Sequence, residues 1–260
     1  MGLSMVDFLT ELAAMPRRVT TFRNRQAGSG LLVLSCAAMG VVELSSLQLL
    51  PQLHPFGDIP AFVIGLGGAA QLLCAILLMF PKRRRIAAAL LAVLWCLAVV
   101  ATAMNAARGP APLPAWVPVM EGAVLFAGFL ALARPESLFV ATPKTALRLA
   151  FGAMLLLFGL IHISYRSAIA GMIPGWIPLE SIWPFFTGGL MLLAGVAMLV
   201  DRLTKVAARL IAGLFASWII LVHLARIWSE PGSISEWEFA LTALALTGTA
   251  LMVARQRLDQ

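Results

Sequence analysis

Charge is scarce in this chain. Asp, Glu, Lys and Arg together make 12% of its 260 residues, hydrophobic residues make 61%, and the mean hydropathy is +0.93. That balance excludes an ordinary soluble domain. Acidic residues are the scarcer sign, 12 against 19 Lys and Arg, which leaves a net charge of +7. The surplus is not that of a nucleic-acid surface, because such a surface gathers its cations on one solvated face, whereas these fall in short connections between apolar stretches. Cysteine is also scarce. Cys36, Cys74 and Cys96 all fall inside apolar stretches and none forms a Cys-x-x-Cys pair, so they read as small buried side chains rather than a disulfide relay. Three histidines, one of them (His54) in a loop, would need carboxylates to complete a metal centre, and no metal site is expected. Catalytic Ser or Cys triads, phosphate loops and metalloprotease helix motifs have no counterpart here. The first thirty residues hold no apolar core of the usual length, so no secretory signal peptide is expected.

What the chain has in abundance is long apolar runs. Eight stretches have the length of a bilayer-spanning helix, about 17 to 25 residues. They cover residues 30–50, 61–80, 86–107, 117–133, 145–168, 182–200, 206–228 and 238–254. Sixteen of the 19 basic residues lie on alternate sides of them: Arg17, Arg18, Arg23 and Arg25, then Lys82 to Arg85, then Arg134, Lys144 and Arg148, then Arg202, Lys205 and Arg209, then Arg255 and Arg257. Only Arg108, Arg166 and Arg226 fall in the other set. Retained loops collect Lys and Arg, so this asymmetry predicts a multi-pass protein of the cytoplasmic membrane with both termini in the cytoplasm. Residues 1–28 form a cytoplasmic N-terminal segment, in which Ser4 and Asp7 suit the start of a short helix with Phe8, Leu9 and Leu12 on one face, stopped by Pro16. Residues 255–260 form a cytoplasmic tail.

The chain also resembles itself at a shift of 120 residues. Leu72, Leu73 and Ile76 fall on Leu192, Leu193 and Val196, and Arg85, Ile86, Ala87, Ala88 and Leu90 fall on Lys205, Val206, Ala207, Ala208 and Leu210. A basic turn leading into an apolar helix at the same place in both halves is harder to obtain by chance than Leu and Ala matches alone. Just beyond, Trp116 matches Trp237, each introducing the last helix of its half. The expected fold is therefore all-α: eight transmembrane helices as two parallel four-helix-bundle repeats, residues 29–134 and 145–254, related by an axis near the membrane normal. Gly65, Gly67, Gly68, Gly188, Gly189 and Gly195 suit close helix packing in lipid.

Ionisable groups inside a bilayer are costly and serve a site or a structural pairing. Here Glu43, Glu121, His162, Arg166, His223 and Arg226 all occur in the outer half of their spans, so any cavity is expected to open toward the periplasm. His162 and Arg166 are four apart and His223 and Arg226 three apart, so each pair projects from one helical face, with Gly159 giving room beside His162. If the fifth and seventh spans pack together, two imidazoles and two guanidinium groups converge, with Glu43 or Glu121 as counter-ions. The competing reading has Arg166 and Arg226 snorkelling to headgroups and the histidines satisfied by carbonyls or Glu pairing. The loops over residues 51–60 and 172–178 mix Pro and Gly with apolar side chains and suit covers for the bundle end. An aromatic belt accounts for Trp116, Trp176, Trp183, Trp228 and Trp237; Trp176, inside the proline-flanked loop, also joins the candidate ligand-binding residues. Two imidazoles on neighbouring helices also meet the first requirement of a bis-histidine haem b, but the pair occurs once with no repeat in the first half, and haem is not expected.

The second half, about residues 145–254, resembles the DoxX-like integral membrane proteins. The resemblance is carried by Gly159-Leu160-Ile161-His162, by Met172-Ile173-Pro174-Gly175-Trp176-Ile177-Pro178, by Trp183 with Thr187-Gly188, by Ala207-Ala208, and by His223 with Arg226. The first half matches only in hydropathy and its basic turn, and lacks both histidines. The resemblance implies a four-helical bacterial membrane protein, and the family's association with quinone-linked thiosulfate oxidation and thiol redox functions implies a redox setting. A shared fold does not transfer chemistry. The expected function is a redox-associated inner-membrane protein with a periplasm-facing pocket for a quinone or lipid-like molecule, held by His162, Arg166, His223, Arg226, Glu43, Glu121 and Trp176. The alternative is a non-catalytic subunit or assembly partner of a larger membrane complex. Expected partners are membrane lipids, a quinone or a membrane protein, and not nucleic acid. No catalytic residue is assigned. A transporter is disfavoured, since broken helices with polar residues at mid-membrane are missing.

Overall fold

A computed structural model describes residues 27–48, 60–133 and 143–255. Residues 1–26, with the expected N-terminal helix, residues 49–59, with most of the expected loop over 51–60 and His54, residues 134–142, and residues 256–260, most of the expected tail, lie outside the described residues. Every regular element among the described residues is helical. The order is α1 (Ala27–Ser46), α2 (Ala61–Leu77), α3 (Arg84–Ala106), a 3-10 turn (Leu113–Trp116), α4 (Val117–Ala133), α5 (Pro143–Ser164) and α6 (Arg166–Gly171). It continues with α7 (Trp183–Leu199), α8 (Thr204–Trp218), a π turn (Ile219–His223), α9 (Leu224–Ser229) and α10 (Ile234–Arg255). Six helical stretches are long and apolar enough to cross a membrane; two further apolar helices, Ala61–Leu77 and Trp183–Leu199, have 17 residues each.

Local sequence sets the boundaries. Pro60 precedes α2 with φ −57° and ψ 135°, an extended conformation outside the helix, and Pro184 occupies the first turn of α7, where a missing N–H costs nothing. One expected helix is interrupted. The apolar stretch over residues 145–168 does not run through as one helix: Tyr165, at φ −109° and ψ 30°, separates α5 from the short α6.

Large apolar side chains line the outside, including Phe62, Leu66, Leu97, Leu193 and Ile220. In water such a girdle would drive aggregation; facing lipid it is at home. Inside are two apolar clusters. The first joins Leu32, Met39, Leu91, Trp95 and Phe129, with Leu241 and Ala245 of α10. The second joins Phe151, Met154, Met191, Ile211, Phe215 and Leu246, with Val124 and Ala127 of α4. Helices α4 and α10 thus sit on the seam and feed both clusters, and fourteen of the 22 residues of α10 are buried.

Between lipid-facing helices, tight van der Waals contact replaces the hydrophobic drive available in water. Four glycine pairs among the described residues supply it: Gly28 with Gly248, Gly152 with Gly195, and the two that follow. A Cβ built on Gly40 would stand 2.6 Å from the Gly68 carbonyl oxygen, and one on Gly68 would stand 2.8 Å from that of Gly40, so α1 and α2 touch backbone to backbone. Gly159 and Gly188 do the same for α5 and α7, at 2.8 and 3.0 Å. At the opposite end of α5, Arg148 donates to the Met198 carbonyl and stands 3.6 Å from Asp201, tying the start of α5 to the end of α7.

Candidate functional site

A cavity of about 290 Å³ lies where α5 and α8 finish and where α4, α7 and α10 begin. Its wall is mostly apolar and aromatic: Phe158, Ile161, Phe215, Trp218, Leu221, Phe239 and Leu246, with Met172, Ile173 and Ile177 of the α6–α7 loop and Trp183 and Pro184 at the head of α7. Apart from Val117 and Glu121 of α4, every lining residue belongs to the second half of the chain.

His162 is fixed on both sides. Its Nδ1 lies 2.7 Å from the Phe158 carbonyl oxygen, which can only accept, so Nδ1 carries the hydrogen and the neutral ring presents Nε2 as a lone-pair acceptor. Its ring stacks on Trp218, with centroids 5.4 Å apart and planes 9° from parallel, and Trp218 meets Phe215 edge-on at 5.7 Å. His223 closes the π turn that follows Trp218. There the Leu224 N–H reaches back to the Ile219 carbonyl, one residue further than in an α-helix. His223 leans on Phe239 at 6.3 Å, and its Nδ1 is buried with no hydrogen-bond partner among the described residues. Glu121 is 7% exposed, and its Oε2 likewise has no hydrogen-bond partner among the described residues.

Three other polar lining groups spend their hydrogens inside the protein. The Thr187 hydroxyl donates to the Trp183 carbonyl at 2.8 Å, the Ser217 hydroxyl to that of Leu214 at 2.7 Å, and the Trp183 indole to that of Pro178 at 3.0 Å. The hydroxyl oxygens of Thr187 and Ser217 remain as acceptors.

Of the seven expected site residues, His162, His223 and Glu121 line this cavity, and Arg166, Arg226, Glu43 and Trp176 do not. Arg166 starts α6 beyond the break at Tyr165, which removes it from the face of His162, and its guanidinium carbon lies 5.9 Å from the centre of the Phe185 ring. Arg226 is held by Glu236, Nε to Oε2 at 2.7 Å and Nη2 to Oε1 at 2.5 Å, a two-point clamp between α9 and α10 rather than a pairing with Glu43 or Glu121. Glu43 belongs to the first bundle: it is buried there and accepts from Gln71 Nε2 at 2.6 Å, while the Cys36 thiol lies 3.7 Å from Gln71 Oε1. Trp176 is 63% exposed on the outside of its loop, and its neighbour Ile177 lines the cavity instead. The space beside Gly159 holds Leu192, whose Cγ would stand 2.6 Å from an added Cβ, so it serves helix packing and not a ligand. The fifth and seventh spans meet through side chains, Phe151 edge-on to Phe215 at 6.4 Å and His162 stacked on Trp218, while the closer helix neighbours of α5 are α7 and α4 and that of α8 is α10.

Sequence reasoning missed Trp218, Phe239, Thr187 and Ser217. Trp218 lies five residues before His223, and only the π turn brings both to one cavity wall; an α-helical projection gives no such signal. No group of three or more His, Cys, Asp or Glu able to hold a metal ion occurs among the described residues. No family model, no curated protein and no solved structure matches this chain.

Proposed function

We propose that this chain is a multi-pass bacterial inner-membrane protein of the DoxX-like kind whose second bundle binds a quinone or lipid-like amphiphile in a cavity facing the periplasm. The observation that carries this reading is the cavity itself, an aromatic-walled chamber with His162 and His223 in its wall, at the end of the bundle away from Arg202 and Lys205. A flat apolar body is accommodated by Trp218, Phe215 and Phe239, and its polar head by the imidazoles, which can accept a hydrogen bond and exchange protons near neutral pH. The redox association rests on the resemblance of residues 145–254 alone.

The same proposal includes eight spans and an internal duplication. Glycine contacts support it: Gly40 with Gly68 and Gly159 with Gly188 lie at nearly the offset that relates the two basic turns. Beside each second glycine stands the functional position of its half, Glu43 Cβ at 2.9 Å from a Cβ on Gly68 and His162 Cβ at 3.0 Å from one on Gly188. In this view Glu43 is the first half's counterpart of His162, plugged by Gln71, which leaves one cavity from two ancestral bundle ends. Equal orientation of the halves then keeps both termini in the cytoplasm.

The test is binding of decylubiquinol, whose hydroxyls can donate to an imidazole lone pair, to purified protein, read by quenching of tryptophan fluorescence, for which Trp218 and Trp183 are placed in the wall. His162→Ala and His223→Ala are each expected to weaken binding about tenfold, the equivalent of one hydrogen bond of about 1.4 kcal/mol. Unchanged affinity in both variants overturns the proposal.

A further inference from the structure

Glu121 stands between the chamber and the seam of the two bundles. It comes from α4 of the first half yet lines the chamber of the second, and its Oε2 is sealed in protein with no hydrogen-bond partner among the described residues. Across the seam, Thr242 of α10 lines the same chamber. Glu238, one turn before Thr242 on the same helical face, is buried and close enough to act electrostatically on Glu121. A carboxylate in an apolar membrane interior needs a cation or several donors to hold its charge. Among the described residues neither reaches Glu121. Arg226 gives both its contacts to Glu236, and Arg166 lies over Phe185 outside the chamber. From α5, His162 commits its N–H to the Phe158 carbonyl, and on the π turn the Nδ1 of His223 is itself enclosed. Glu43 of α1 accepts from Gln71, and α3, packed along α4, brings Cys96 and no charged side chain beyond Arg85. Inward the seam is closed: Leu125, Ala245 and Leu246 are fully buried, and a Cβ on Gly128 would stand 3.1 Å from Thr249 Cγ2. The chamber is the open side of this carboxyl.

From this placement we propose that Glu121 is a proton-binding site, standing as the neutral acid in the resting protein and exchanging its proton with the chamber. The neutral acid needs no cation, meets Glu238 without like-charge repulsion and lets α4 and α10 close on a dry seam. When the proton passes to a base admitted to the chamber, a carboxylate and a protonated base remain as a pair, and the return transfer restores two neutral groups. The bound proton stands independently of the amphiphile-pocket reading; control of its exchange by a bound head rests on that reading.

Infrared difference spectroscopy on the full chain in dodecyl maltoside, a detergent without ester groups, reads the carboxylic-acid C=O stretch at neutral pH. The unmodified chain minus Glu121→Gln is expected to leave one acid band, and this band is expected to move to lower frequency in D2O. Glu121→Asp is expected to keep an acid band at a displaced frequency, which secures the assignment should the Gln variant not fold. A difference spectrum without an acid band, or with carboxylate bands in its place, overturns the proposal. So does an acid band that D2O never shifts, because its proton does not exchange. Decylubiquinol, its binding read separately by tryptophan quenching, is expected to fill the chamber and slow the shift after rapid dilution into D2O. An unchanged rate with decylubiquinol bound overturns the chamber as the route of exchange. If the acid band stands and decylubiquinol does not bind, the amphiphile pocket is wrong and the proton site is upheld.

Discussion

Gly159→Val pushes α5 away from α7 and lowers the thermal midpoint of the purified protein by roughly 10 °C, the equivalent of about 3 kcal/mol for a chain of this size. The Cβ alone would lie 2.6 Å from Leu192 Cγ and 2.8 Å from the Gly188 carbonyl oxygen. Leu192 can swing aside, but the backbone of Gly188 cannot move without shifting the helix that carries Thr187 and Trp183 into the cavity wall. His162 lies one turn further along α5, so the same variant is expected to lose decylubiquinol binding as well. Gly189→Val is the matched control. Nothing lies within 4 Å of a Cβ on Gly189, and its substitution is expected to leave both the midpoint and binding nearly unchanged. Equal effects at the two positions would refute the close α5–α7 contact.

Arg226→Ala is the second large change. It leaves Glu236, whose side chain is 7% exposed, without the guanidinium that holds both its oxygens. Removing one partner of a buried pair costs about 3 to 5 kcal/mol; Arg226 is 34% exposed and water can reach the gap, so about 2 kcal/mol is the expected loss. The double variant Arg226→Ala with Glu236→Ala is expected to recover part of it, because the stranded carboxylate is gone. Thermal melts of the two single variants and the double variant yield the coupling directly. If Arg226 only snorkelled toward headgroups, the two substitutions would be additive, with no coupling between α9 and α10.

Helix bounds were legible where apolar length and punctuation agree: the run over residues 117–133 is α4 to the residue, and the stretch over residues 182–200 differs from α7 by one at each end. Three of the polar residues were legible as a group, because His162, His223 and Glu121 fall at similar depth in their runs. What failed were inferences that assume an unbroken 3.6-residue period. Tyr165 breaks α5 where hydropathy continues, and that break removes Arg166 from the site. Period cannot anticipate the π turn at Ile219–His223, yet this turn brings Trp218 and His223 to the same wall. Partners across helices were equally hidden: nothing in the spacing of Arg226 points to Glu236 rather than Glu121, and nothing in that of Glu43 points to Gln71. Gly159 shows the same ambiguity, since a missing side chain reads alike as room for a ligand or room for a helix.

The central claim is that the end of the second bundle is a chamber built to be filled. An electron-microscopy map of the full chain in nanodiscs carrying its native lipids tests it most directly. The account predicts elongated non-protein density between Trp218 and Phe239, with its head beside His162 and Glu121; a chamber closed by Trp218 or Phe239 swinging inward, with no density of its own, would contradict it.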